Sequence, residues 1–412
     1  MSRLCYLDAN ATQPLRPTAR DAVVAAFEVV GNPSSVHRAG RDARRLMENA
    51  RELIASTFGC QAQNLIFTSG GTEADALGIH AMSSGRRVVI TAIEHDAVRS
   101  AAAAAARSSR GDAVRSLPGD AVGSPPGEAV RSGEDVVVLP VCPDGVIDLG
   151  ALEGRLRDGV ASLVCLMLAN NETGVVQPVE EAAAICRRYG ALLHVDAVQA
   201  AGRMAVNLER LGAHSLAISS HKLGGPAGVG ALLLAPNAPF AAPLIGGGGQ
   251  ERGRRGGTPA VALIAGFAAA VWDSEGDDLI RMRRLRDAAE IAAVACGAVV
   301  CGDAVRRLPN TTCVALPGAA AGVQVIALDL EQVAVSAGAA CSSGKVQSSH
   351  VLQAMGLGTL AGEAVRVSLP WSVTEDDVDC FAAAYRRVAV RLCPAGFAVP
   401  SGAPASVVEI PA

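Results

Sequence analysis

SLVCLMLANNETGVVQPVEEAAAICRRYGALLHVDAVQ, residues 162–199, reads as a strand, a helix and a second strand. The first run, 162–170, is apolar without alternation, as in a strand buried on both faces. EEAAAICRRYG (180–190) has apolar residues at helical spacing and closes on Gly190, whose type ends helices readily. LLHVDAV (192–198) follows at once. Two buried strands joined through a helix run parallel.

The same pattern extends in both directions. NLIFTSG (64–70), RVVITAIEH (87–95), SLAISSH (215–221) and GALLL (230–234) alternate with Ala-rich helical stretches. The chain is therefore α/β, with a mostly parallel sheet covered on both faces. Ligands of such sheets sit beyond the carboxyl ends of the strands. Gly70-Gly71-Thr72, His95, Asn171, Asp196 and Lys222 all fall at or just after those ends.

The 412 residues leave room for two or three domains and a large core. Half are hydrophobic and 18% are charged, which excludes disorder throughout. Aromatics are 3%, so the core is built from Ala, Val and Leu. A net charge of −4 argues against nucleic acid as a direct partner. No apolar run approaches a membrane span, and MSRLCYLDANATQPL lacks the apolar centre of a secretory signal. A cytoplasmic location is the expectation. The eleven cysteines form no C-x-x-C pair, and no metal site is expected.

GGGGQERGRRGGT (246–258) closes the alternating region. Beyond it the pattern gives a helical stretch over 260–295, short strands near 298 and 312, and a last helix over 375–392. The expected partition is a large domain over 16–258 and a smaller α+β domain over 259–393 joined by residues 1–15. A Pro/Ala-rich tail, 394–412, follows. GDAVRSLP, GDAVGSPP and GEAVRSGE, within 111–134, are imperfect octapeptides after a run of six alanines (101–106). Their period is too short for a repeat with its own core, so 107–134 reads as a surface insertion.

Asp196 and Lys222 together suggest pyridoxal phosphate. A lysine amine forms a Schiff base with the cofactor aldehyde, and an aspartate keeps the ring nitrogen protonated. Gly71-Thr72 at a helix start suits a phosphate. His95 could stack on a flat ring, though a capping histidine is the plainer reading. Asn171 could bond a ring oxygen or a carboxylate, or only shape a turn. Gln199, three residues after Asp196, shares its face if the chain turns helically there. Ser219 to Lys222 also match S-x-x-K, but the other motifs of penicillin-recognising enzymes are missing. Cys341, in a run of Ser, Ala and Gly, reads as a nucleophile on a movable segment. Arg366 could fork onto a carboxylate.

These motifs, in order, resemble the cysteine desulfurases of the NifS/IscS type, in the class V aminotransferase group of fold-type I pyridoxal phosphate enzymes. The resemblance runs from YLDANATQP (6–14) to RVSLPWSVTEDDV (366–378). Between them stand GNPSSVHRAG (31–40), FTSGGTEADALGI (67–79), NNETGVVQP (170–178), HVDAVQAAGR (194–203), SSHKLGGPAGVG (219–230), GGGQERGRRGGT (247–258) and SAGAACSSG (336–344). It implies a seven-stranded sheet in the large domain and a homodimer. Lys222 would attach the cofactor, His95 would stack on it, Asp196 would pair with its ring nitrogen, and Gln199 would bond its phenolic oxygen. Gly71, Thr72, Ser219 and His221 would hold its phosphate, with Thr258 reaching the other subunit's. Asn171 and Arg366 would bind the substrate carboxylate, with Asn32 near it. Cys341 would take sulfur from L-cysteine for an acceptor protein of iron–sulfur assembly or tRNA thiolation. Selenocysteine lysis or amino transfer on the same cofactor are the alternatives, and a fold kept only as a scaffold is a third. The chain departs from the family pattern at Ala9, Ala227 and Pro370.

Overall fold

The computed structural model describes residues 4–109, 136–338 and 348–393. The octapeptide segment and the tail from Pro394 lie outside them. The central element is a seven-stranded sheet. Its strands in chain order are β1 (Leu65–Thr68), β2 (Arg87–Thr91), β3 (Val136–Leu139), β4 (Ser162–Met167), β5 (Leu192–Asp196), β6 (Ser215–Ser219) and β7 (Gly230–Leu234). They lie in the order β1-β7-β6-β5-β4-β2-β3. All pairings are parallel except those made by β7, which runs opposite to both neighbours.

Every residue of β4 is buried, as its unbroken apolar run requires. The helix that follows, Val179–Arg188, buries Val179, Ala182, Ala183 and Cys186 on one stripe. Glu180 and Glu181 lie in its first turn and Arg187 and Arg188 in its last, each favourable to the helix dipole. Gly190, at φ +67°, lets the chain leave the helix in a left-handed conformation and enter β5. This short return fixes β5 beside β4 and brings Asp196 level with Met167.

The stretch expected as one helix over 260–295 is two, Val261–Ser274 and Leu279–Val294. Gly276 and Asp277 interrupt it, and Asp278 restarts it by accepting the Arg281 amide at 2.9 Å. The first of the two shares the large core through Ile264, Phe267 and Val271. The second joins a separate core with Phe381, Tyr385 and Val388 of the helix Glu375–Leu392. Thr374 and Asp377 cap that last helix reciprocally. A four-stranded sheet backs the second core, with Ala364–Ser368 at its centre against Thr311–Ala315 and Ser336–Ala337. Cys5–Tyr6 pairs in parallel with Val333–Ala334, so the first residues fold onto this smaller unit. A third cluster, including Ile93, Met167, Cys313 and Leu352, joins the two units beside the strand ends.

Candidate active site

Five strand ends converge on one cavity of about 240 Å³. Gly71 and Thr72 reach it after β1, His95 after β2, Met167, Ala169 and Asn171 after β4, and Asp196 and Gln199 after β5. Ser219, His221 and Lys222 come from the end of β6. A neighbouring cavity of about 250 Å³ shares Gly71, Thr72, Ser219 and His221. A larger groove, about 980 Å³, lies elsewhere and is lined by Phe58, Val206 and Arg306 among others. It holds none of the sequence-selected groups, so its size does not make it the reactive site.

Lys222 is one of only two lysines in the chain, the other being Lys345. Its Nζ donates to the carbonyls of Asn10 and Ala11, the latter at 2.8 Å. Burial, with the Arg366 and Arg203 charges nearby, lowers its pKa to about 7. Asp8 and Asp196 oppose that shift without overcoming it. About half of such an amine is the neutral nucleophile at pH 7.

Asp196 is buried at the end of β5, and one oxygen accepts the Val198 amide at 2.9 Å. Burial raises its pKa, while His95 and Lys222 pull the other way. Two further buried carboxyls stand near it. Glu94 is pushed up to about 8, mainly by burial. Asp75, which lines the cavity, is raised well above the usual range by burial and by Asp196 and Glu94. Asp75 contacts His194 Nε2 at 3.2 Å, and His194 Nδ1 contacts Ser215 Oγ at 2.7 Å. Burial takes that imidazole down to about 4, so it is neutral. Neutral Glu94 and Asp75 leave Asp196 as the carboxylate a cationic ring would ionise.

His95 Nδ1 accepts the Ala97 amide at 3.1 Å, which puts the proton of the neutral ring on Nε2. His221 Nδ1 stands 3.2 Å from Thr12 Oγ1, and burial with Lys222 and Arg203 lowers its pKa to about 4. Ser219 Oγ is buried without a hydrogen-bond partner among the described residues. It lies beside the start of the helix Gly71–Met82, where backbone amides are free. A Cβ on Gly71 would come within 2.7 Å of Val198 and 3.3 Å of Ser219, so glycine lets this helix start abut the strand ends. An orphaned hydroxyl beside a helix N-terminus fits a phosphate.

Not every selected residue lines the cavity. Gln199 does, but Nε2 donates to Asn10 O at 3.0 Å and Oε1 accepts from Arg203. Arg366 stands behind the lining, donating to Asp8 Oδ1 at 2.6 Å and to Asn171 O at 3.3 Å. Its buried Nε has no hydrogen-bond partner among the described residues. Asn32 is exposed and shapes its own turn by accepting the Ser34 amide at 2.9 Å. Thr258 lines a different cavity with Ser69 and Arg255. Cys341 lies outside the described residues. No cluster of metal-ligating side chains occurs among the described residues, and no described helix is long and apolar enough to cross a membrane.

Asp75, Arg203 and Asp8 escaped the sequence reading. Asp75 lies three residues after Thr72, and a carboxylate among the small and apolar residues Ala74 to Ile79 was its one signal. Asp8 and Arg203 act through contacts that chain spacing does not show.

Residues 5–133 and 128–381 match the aminotransferase class-V family. The cysteine desulfurase of Cereibacter sphaeroides is 40% identical over 383 residues, 91% of this chain and 92% of that one. The NifS-like protein from Rickettsia africae superposes with a TM-score of 0.80 at 31% identity, covering 94% of this chain and 99% of that one. A solved complex of SspA with cysteine gives a TM-score of 0.72 at 27% identity over 89% of this chain and 98% of that one.

Proposed function

The chain belongs to the aminotransferase class-V family, and on that premise we propose that it is a pyridoxal phosphate-dependent cysteine desulfurase. The observation that carries this reading is the single cavity holding a neutral-range lysine, a buried aspartate and an orphaned serine hydroxyl. When bound, pyridoxal phosphate supplies an aldehyde for an amino group and an electron sink for a carbanion at the substrate α-carbon.

Ser219 Oγ, Thr72, the amides at Gly71 and His221 would hold the phosphate. Asp196, one oxygen of which accepts the Val198 amide, would pair with the ring nitrogen. His95, fixed by the Ala97 amide, would stack on the ring, and Gln199 would bond the phenolic oxygen. Arg366, steadied by Asp8, and Asn171 receive the carboxylate of L-cysteine. Lys222 Nζ removes the α-proton, which its depressed pKa suits near neutrality. The Cys341 thiolate then attacks the substrate sulfur. The Cβ–S bond breaks, an S–S bond forms on Cys341, Cβ takes a proton, and Lys222 returns a proton to Cα before alanine leaves. No outside oxidant or reductant is required.

Thr258 stands away from the cavity of its own chain, and we assign it to the phosphate site of a second copy in a homodimer. The persulfide passes to an acceptor protein of iron–sulfur assembly or tRNA thiolation, in the cytoplasm. The test is alanine formation from L-cysteine. Lys222→Ala abolishes it, and Cys341→Ser retains bound cofactor while losing alanine and sulfide. Wild-type alanine output from Cys341→Ser would exclude the persulfide step.

A further inference from the structure

Glu172 has no part in the chemistry above, yet it is buried to 2% exposure beside the site. Asn170 holds it from behind, its Oδ1 accepting the amides of Glu172 at 2.9 Å and Thr173 at 3.0 Å. Glu172 Oε2 accepts from Ser349 Oγ at 2.5 Å. The same oxygen faces Gly338, where an added Cβ would come within 2.2 Å of it. Gly338 and Ser349 lie on either side of Cys341 in the chain, so one carboxyl group touches both flanks of the cysteine segment. Ser349 in turn caps the helix His350–Ala354 by accepting the Leu352 amide at 3.0 Å. Glu172 also follows Asn171, which lines the cavity and whose carbonyl binds Arg366.

A buried carboxyl is costly unless its hydrogen bonds are made, and burial raises this one's pKa. Its neighbours Ser349 and Arg366 only partly offset that. A plain packing role would be served by an apolar residue. We propose that Glu172 is a positioning residue for sulfur transfer: it ties Gly338 and Ser349 to the strand end that carries Asn171, and so fixes where the Cys341 segment starts and ends relative to the substrate. This rests on Cys341 being the sulfur acceptor.

The inference separates binding from transfer. In the full-length enzyme with its cofactor, Glu172→Ala should lower kcat for alanine formation about ten- to a hundredfold, the scale of an ångström-level misplacement. KM for L-cysteine and the spectral response of the bound cofactor to L-cysteine should stay within about twofold, since no group that touches substrate is removed. Glu172→Gln keeps an acceptor for Ser349 and should restore most of kcat. Gly338→Ala should lose kcat by crowding the carboxyl, and the double variant with Glu172→Ala should be no worse than Glu172→Ala alone. That coupling is a readout a general loss of stability would not give. Wild-type kcat in Glu172→Ala, or additive losses in the double variant, overturns the inference. Cys341→Ser in the same assay keeps the outcomes apart: if it stays active, the sulfur-acceptor reading has failed, whereas if it is dead and Glu172→Ala is not, only this inference has.

Discussion

The low pKa of Lys222 can be read directly from the cofactor-free protein as a function of pH. Imine formation with pyridoxal phosphate needs the neutral amine. A group at the ordinary 10.5 is neutral in roughly one molecule in three thousand at pH 7, whereas one at about 7 is neutral in half. The sign follows from the cause: burial and the Arg366 and Arg203 charges disfavour the ammonium form, so the amine becomes reactive as pH rises through about 7. Stopped-flow absorbance after mixing with pyridoxal phosphate should show a rate that climbs between pH 6 and about 8 and then levels. Arg366→Gln removes a positive neighbour and leaves Asp8 uncompensated, so the inflection should move up. Lys222→Ala serves as the blank for Lys345. A rate still climbing beyond pH 9 in the wild type, or an inflection indifferent to Arg366→Gln, would refute the electrostatic account.

Two further outcomes test the scaffold. Glu251 is buried against Arg51 through paired contacts of 2.8 Å each and also accepts the Phe67 amide at 3.0 Å, so it pins the Gly/Arg loop to β1. Glu251→Ala leaves the buried Arg51 guanidinium with Glu48 and the Leu65 carbonyl alone and should cost about 1.5–3 kcal/mol in denaturant unfolding; a cost below about 1 kcal/mol would mean the pair is solvated in solution. Deleting 111–134 should leave alanine formation and the unfolding midpoint nearly unchanged, as the octapeptide pattern of a surface insertion implies; failure to fold would show that it contributes to the core.

Six of the seven strands of the main sheet were legible because their runs are apolar throughout and end in polar motif residues. β3 was not read: its four apolar residues follow directly on the octapeptides, with no motif residue at their end to mark a strand. The break at 275–278 was missed because the apolar spacing resumes in phase beyond it, while Asp278 acts only as a cap. At the site, Gly71, Thr72, His95, Asn171, Asp196, Gln199, Ser219, His221 and Lys222 were found together because strand topology alone carries them to one rim. Asp8 was not selected because it meets Arg366 across 358 positions of chain. Glu172 was read only as part of a motif, since its contact to Ser349 spans 177 positions and depends on the smaller unit docking on the larger.

The central claim is a covalent attachment at one amine, and a chain with two lysines makes it easy to test. Borohydride reduction of the protein with bound pyridoxal phosphate, followed by digestion and peptide mass mapping, should place the cofactor on Lys222 in full. Attachment at Lys345, or no reducible adduct at all, would contradict the account.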